Sequence, residues 1–385
     1  MQGIRLLVTA ALCAAAAAVA ADPAPRARDL GVGFDGTPGP LNAITDVAGV
    51  TVGHTTIIED LEGERAVRTG VTAVLPRGRD SVHTLAYAGW TALNGNGEMT
   101  GTTWVEESGF LEGPVMITNT HSVGAVHEGT IRWLVRQGSA DHTGYYWSLP
   151  VVAETWDGWL NDINGFHVRP GHAGEALDAA APGPVAEGAV GGGTGMICFE
   201  FKCGIGTSSR AVSVDDEDFT LGVLVQANFG RRAELVVTGV PVGKAMPGSV
   251  YTANLDEPDT LSSIIVVVAT DAPLLPHQLE RIARRVSLGI ARTGGIAHNG
   301  SGDIFIAFST ANEAAARGER DASIESMPND SLNPLFLASV QATEEAIVNA
   351  LVAGRDMTGN EGHVVPGIGH DDLRDVLEAH DRLVR

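Results

Sequence analysis

Ser263 stands at the mouth of an apolar run, Ile264 to Ala269, deep inside a chain of 385 residues. A buried strand needs no polar residue at its entrance. A second apolar run, Ile304 to Phe308, opens with Asn299-Gly300-Ser301-Gly302-Asp303. Two strands that both open with polar side chains bring Ser263, Ser301 and Asp303 to one edge of a sheet. The chemistry available there is nucleophilic. If the peptide bond between Ser262 and Ser263 is cut, Ser263 becomes an N-terminal residue. Its α-amine, with an ordinary pKa of about 7.7–8.0, then accepts a proton from its own hydroxyl near neutral pH. The same hydroxyl is the natural agent of the cut: it attacks the carbonyl of Ser262, an ester forms, and water hydrolyses it. On residues alone the plainer reading stands beside this one. Most serines so placed simply begin a strand or turn, and Asn-Gly-Ser-Gly-Asp forms turns closed by its own side chains.

Four long segments tilt the balance. SIIVVVATDAPLLPHQLERIARR from Ser263, NGSGDIFIAFST from Asn299, GAVGGGTGMICFEFKCGIGTSSR from Gly188 and VLVQANFGRRAEL from Val223 together resemble the L-aminopeptidase/D-esterase and β-peptidyl aminopeptidase family of self-cleaving serine aminopeptidases. The resemblance covers nearly the whole chain after residue 30. It implies a four-layer αββα sandwich, an α/β architecture like that of the N-terminal nucleophile hydrolases but with different connectivity. It also implies an acyl-enzyme on Ser263 and no cofactor.

Roles for further residues follow from the resemblance. Ser301 is expected to hydrogen-bond Ser263, and Asp303 to orient that pair or meet the new ammonium; an i, i+2 spacing in an extended strand puts both side chains on one side. Asn228, after the strand Leu221 to Val225, is expected to donate to the oxyanion. Glu154, after the apolar run from Val151, is expected to hold the free amine of the substrate, as a carboxylate in a partly closed pocket does for an ammonium. Trp156 is expected to line the substrate pocket, with plain core packing as the alternative. Without the family, Asn228 reads as a turn residue and Glu154 as a strand-end acid facing solvent.

Composition bounds the rest. Hydrophobic residues make up 44% and charged residues 19%, enough apolar surface for a packed core. The formal net charge is −22, spread along the chain, which argues against nucleic acid as a partner. Arg5, the apolar stretch Leu6 to Val19 and the Ala18-Val19-Ala20 site read as a secretory signal, residues 1–20, and so as export to a periplasm or beyond. That stretch is short for a membrane span, and no later segment is long enough for one either. Of the three cysteines, Cys13 falls in the signal, while Cys198 and Cys203 are equally a bridged pair or two buried thiols. The glycines 191–195 lack the residues of a phosphate loop and read as a structural turn near the site, able to bring backbone close to substrate. The histidines carry no metal-ligand spacing, so no catalytic metal is expected.

Helices are expected from His121 to Gly138, from His172 to about Ala181, from Pro276 to Arg292, where Leu279, Ile282, Ala283, Val286 and Ile290 form one stripe, and from Asn333 to Gly354. The strands do not alternate simply with helices, which disfavours a doubly wound parallel sheet. The chain then divides into the signal, an α part over residues 21–262 and a β part over residues 263–385 starting at the nucleophile. The two parts are expected to stay associated within a homo-oligomer and to act on small peptides, amides or esters. Two other readings compete. One is an acyltransferase of the ornithine acetyltransferase type, which normally uses a threonine nucleophile. The other is an uncleaved periplasmic binding protein.

Overall fold

Side chains along the strand Ser262–Thr270 alternate between two apolar layers, and this alternation builds the molecule. Ile264, Val266 and Val268 pack with the helices on one face, while Ile265, Val267 and Ala269 pack against a second sheet on the other. A strand covered on both faces reads as a continuous apolar run, as this one does. The computed structural model describes residues 25–139, 142–250 and 262–384. The signal call on residues 1–20 lies outside them, as does Leu261.

The first strands are β1 (Thr51–Asp60), β2 (Ala66–Arg79), β3 (Ala86–Ala92), β4 (Phe110–Leu111), β5 (Val115–Asn119) and β6 (Val151–Thr155). A short hairpin, β7 (Ile197–Cys198) and β8 (Phe201–Lys202), precedes β9 (Ile205–Val214), β10 (Glu217–Asn228), β11 (Ser262–Thr270) and β12 (Ser301–Ser309). One sheet has the order β4-β3-β12-β11-β10-β9 and the other the order β1-β2-β5-β6. Both are mixed: β11 and β12 run parallel, as do β5 and β6, and their other pairings are antiparallel.

The helices Pro276–Arg292 and Asn333–Ala353 cover the outer face of the six-stranded sheet, while Val123–Leu134 and Pro170–Asp178 cover that of the four-stranded sheet. The result is the expected four-layer αββα sandwich with an apolar layer at each of its three interfaces. Pro276 sits in the first turn of its helix and the predicted stripe is buried. The helix expected from His121 is a 3-10 turn, the α-helix Val123–Leu134 and a wide turn in which Gly138 has φ 78°. The helix expected from His172 begins at Pro170, two residues earlier. One expectation needs correcting: the segment Asn329–Ala353 is long and apolar enough to cross a membrane, but 89% of its apolar window is buried. Helices apolar on every side are core helices when neighbours surround them, and this one is.

Candidate active site

The site forms where β10, β11 and β12 lie side by side. Asn228, the last residue of antiparallel β10, is the register partner of Ser263, so β10 carries it beyond the strand read from sequence and out of the expected turn. On the other side, parallel β12 pairs Ser262 with Ser301 and Ser263 with Gly302. Ser263, Asn228, Ser301 and Asp303 are all buried. The Ser263 hydroxyl donates to the carbonyl oxygen of Ser262 at 2.5 Å and accepts from the Gly302 N–H at 3.2 Å. The Ser263 hydroxyl is thus held beside the peptide group that precedes it.

Ser301 donates to Asp303 Oδ1 at 2.6 Å, as the spacing predicts. Its oxygen, however, lies 3.1 Å from the hydroxyl of Ser262, so in the uncut chain Ser301 engages Ser262 and not Ser263. Pleating explains this. Side chains alternate along β11, and Ser262 shares the helix-side face with Ile264, opposite Ser301 and Asp303. Ser263 points with Ile265 to the face between the sheets.

Asp303 also accepts from the Asn94 amide at 3.1 Å, while its own N–H donates to Asn94 Oδ1 at 2.7 Å. Burial pushes its carboxyl above the ordinary carboxylate range, and the hydrogen bonds from Ser301 and Asn94 oppose that shift. Asn94 escaped the sequence reading. Its Asn94-Gly95-Asn96-Gly97 segment signals a turn and nothing more. The turn needs close approach: a Cβ on Gly302 would lie 2.5 Å from Asn96 O and from Gly97 Cα.

Glu154 is buried near the end of β6. It accepts from the Glu98 N–H at 2.9 Å and from the Thr120 hydroxyl. Burial raises its pKa, opposed by these two donors and by His121, while the charge of Glu98 raises it further. Gly97 bridges Glu154 to the strand mouth, because a Cβ there would lie 3.4 Å from Glu154 Oε1 and 3.0 Å from Gly302 Cα. Trp156 is half-buried and packs against the cluster of Trp159, Leu160, Ile197 and Val365. The glycines 191–195 are buried, and a Cβ on Gly192 would meet Gln226 while one on Gly193 would meet Gly204 and Ile205, so close packing holds this turn. Cys198 and Cys203 form a disulfide, which closes that question.

Three residues beyond Glu154, Asp157 is fully buried. Asn161 donates to its Oδ1 at 3.0 Å, while Oδ2 has no hydrogen-bond partner among the described residues. Burial raises its pKa from the ordinary 3.8 to about 7. The folded state therefore holds this proton more tightly than the unfolded chain. The stabilisation it gives is complete below about pH 4 and is lost as pH rises through about 7, with a slope approaching about 1.4 kcal/mol per pH unit within the window. Asp157→Asn keeps the shape without the charge. We expect it to flatten this part of the stability–pH curve and to exceed the parent in denaturant midpoint at pH 8; an unchanged slope between pH 4 and 7 would rule the assignment out.

With this geometry in place, comparison with known proteins is decisive. The family model of peptidase family S58 matches residues 42–365. The chain belongs to peptidase family S58. It is 53% identical over 385 residues to the β-peptidyl aminopeptidase BapA of Sphingosinicella microcystinivorans, with 95% of each chain covered. A second β-peptidyl aminopeptidase BapA, from Sphingosinicella xenopeptidilytica, is 48% identical over 96% of this chain and 95% of its own. Among solved structures, the L-aminopeptidase D-Ala-esterase/amidase of Ochrobactrum anthropi superposes with a TM-score of 0.86 at 49% identity, covering 94% of this chain and 100% of that one. It is described as a prototype for the serine aminopeptidases and a new variant among the Ntn hydrolase fold. The β-aminopeptidase of a Burkholderia species gives 0.83 at 48% identity, covering 92% and 99%. This family S58 member is accordingly a hydrolase, a serine aminopeptidase on a variant of the N-terminal nucleophile hydrolase fold. The acyltransferase and binding-protein readings fall away.

Proposed function

We propose that this peptidase cuts itself between Ser262 and Ser263 and then uses Ser263 to remove small α- or β-amino acid residues from short amides, peptides and esters with a free amino end. The observation that carries the proposal is the Ser263 hydroxyl, 2.5 Å from the Ser262 carbonyl oxygen, with Asn228 paired to it across the strand. In the cut, Ser263 Oγ bonds to the Ser262 carbonyl carbon and the Ser263 nitrogen leaves, taking a proton. Water hydrolyses the resulting ester, giving a carboxylate on Ser262 and a free hydroxyl and amine on Ser263. In turnover that amine takes the hydroxyl proton as Oγ attacks the substrate carbonyl. Asn228 donates to the oxyanion, the proton passes to the leaving amine, and water releases the acyl group.

Once the bond is cut, Ser262 is a chain end free to move away from Ser301, whose hydroxyl is then available to the new terminus. The two parts stay together because β11 remains between β10 and β12, and the helix Asn333–Ala353 remains on β9. Residues 1–20 are removed on export, which places the enzyme in the periplasm or outside the cell, and the two-chain units assemble as a homo-oligomer.

Glu154 selects the substrate's ammonium, with Trp156 beside it. A charge-assisted hydrogen bond contributes about 1.5–3 kcal/mol, or roughly 10- to 150-fold in rate. Glu154→Gln is expected to lower kcat/KM for the p-nitroanilides of L-alanine and β-alanine by about that factor. N-acetyl-alanine p-nitroanilide should be turned over poorly by both forms. Comparable turnover of the acetylated compound by the parent enzyme would overturn the free-amine requirement, and an unchanged preference in Glu154→Gln would remove Glu154 from this role.

A further inference from the structure

Lys202 is fully buried, and among the described residues its ammonium meets only main-chain carbonyls. Nζ donates to Cys203 O at 2.5 Å, Met196 O at 2.9 Å and Gly193 O at 3.4 Å. No acidic side chain is among these partners. Burying an ammonium without a counter-charge is expensive, several kcal/mol even after relaxation. A neutral donor would satisfy the same carbonyls more cheaply if stability were all that mattered. Burial lowers the Lys202 pKa to about 7, which shows how strongly the surroundings oppose its charge.

What the charge reaches is the peptide unit between Met196 and Ile197. Its carbonyl accepts from Lys202, and its N–H donates to Asn228 Oδ1 at 2.9 Å. In a trans peptide these two groups point in opposite directions, so the unit spans the distance from ammonium to amide as one rigid plate. A side-chain amide can turn its oxygen toward a donor or its NH2 toward an acceptor. Because Ile197 presents an N–H, only the oxygen of Asn228 fits, which commits Nδ2 to the other branch. The ammonium also polarises the peptide, and that polarisation passes along the hydrogen-bonded chain to strengthen Asn228 as a donor.

The hairpin around Lys202 is built to hold this plate still. Lys202 pairs with Ile197 across β7 and β8, and the disulfide between Cys198 and Cys203 cross-links the two arms. Its two turn residues, Phe199 and Glu200, have φ values of 49° and 59°, a left-handed conformation that side-chain-bearing residues adopt only when their surroundings enforce it. Here the Phe199 N–H donates to Phe229 O at 2.8 Å, and Arg232 Nε donates to Phe199 O at 3.0 Å. The clamp thus closes on the residue that follows Asn228.

We propose that Lys202 is a positioning residue for the oxyanion donor, acting on Asn228 through the Met196–Ile197 peptide. This rests on the reading of Asn228 as that donor. The test is a double-mutant cycle of Lys202→Met, Asn228→Ala and the pair, with kcat and KM measured separately on fully matured enzyme. Lys202→Met is expected to lower kcat on the order of 10- to 100-fold with KM within about 2-fold. The pair should be no worse than Asn228→Ala alone to within about 2-fold, because both changes remove the same interaction. Lys202→Gln, which keeps two N–H donors, should recover part of the loss, and it carries the cycle if the methionine variant does not fold. Where maturation is slow, the rate at which the two chains appear serves as the same readout, since the same oxyanion forms on Ser262. Losses that multiply in the pair, or an unchanged kcat in Lys202→Met, would overturn the proposal. A loss in Lys202→Met with none in Asn228→Ala would instead refute the oxyanion reading of Asn228, and with it the route assigned to Lys202.

Discussion

Ser263→Ala is expected to yield one uncut chain with activity at least about 10⁴-fold below the parent, since removing a nucleophile leaves only the contributions of binding and oxyanion stabilisation. On the proposed mechanism two functions fail together because one hydroxyl would perform both, and in this structure it lies against the Ser262 carbonyl. The loss should not come from misfolding. Ser263 sits at the end of β11, where its hydroxyl makes hydrogen bonds only to the Ser262 carbonyl and the Gly302 N–H among the described residues. An unchanged thermal midpoint checks this. A cut that survives in Ser263→Ala would assign processing to another protease. Ser262→Ala separates the two functions. It removes the hydroxyl that meets Ser301 in the uncut chain and should slow the appearance of the two chains, yet leave matured enzyme at parental kcat/KM.

The second large effect is expected at Asn228. Deleting one preorganised oxyanion donor typically lowers kcat about 10²- to 10³-fold. Asn228→Ala should therefore retain KM within about 2-fold for alanine p-nitroanilide and lose kcat by that factor. Asn228→Asp should be at least as damaging, because a carboxylate there repels the developing oxyanion and removes the donor. A parental kcat in Asn228→Ala would place the oxyanion elsewhere. Steady-state kinetics on matured enzyme decides between these outcomes.

The strands that carry this chemistry were legible because each is buried on both faces, so β11 and β12 appear as unbroken apolar runs with polar openings. The helix Pro276–Arg292 was legible because it is amphipathic and opens with proline. What the sequence hid depends on parity and on distance along the chain. Ser262 and Ser263 are adjacent, and only the register of β11 against β12 decides which of them faces Ser301. Asn94 and Asp303 are far apart in the chain, and an Asn-Gly-Asn-Gly segment advertises a turn without revealing what its side chains hold. Thr120 and the Glu98 N–H, which bind Glu154, are hidden for the same reason. Lys202 is hidden by its type: lysines are almost never fully buried, so a lysine between Phe201 and Cys203 suggests a surface position. The family resemblance supplied roles for Asn228 and Glu154 that spacing alone did not, and the structure supplied the partners that hold them.

The central claim is that Ser263 begins a chain of its own. Intact-mass analysis of the purified wild-type protein, with N-terminal sequencing of each species, tests it most directly. The account predicts two chains in equal amounts, the smaller running from Ser263 to Arg385 with a free α-amine and the larger ending at Ser262 and lacking residues 1–20. A single full-length chain with aminopeptidase activity, or a smaller chain that begins at any residue other than Ser263, would contradict it.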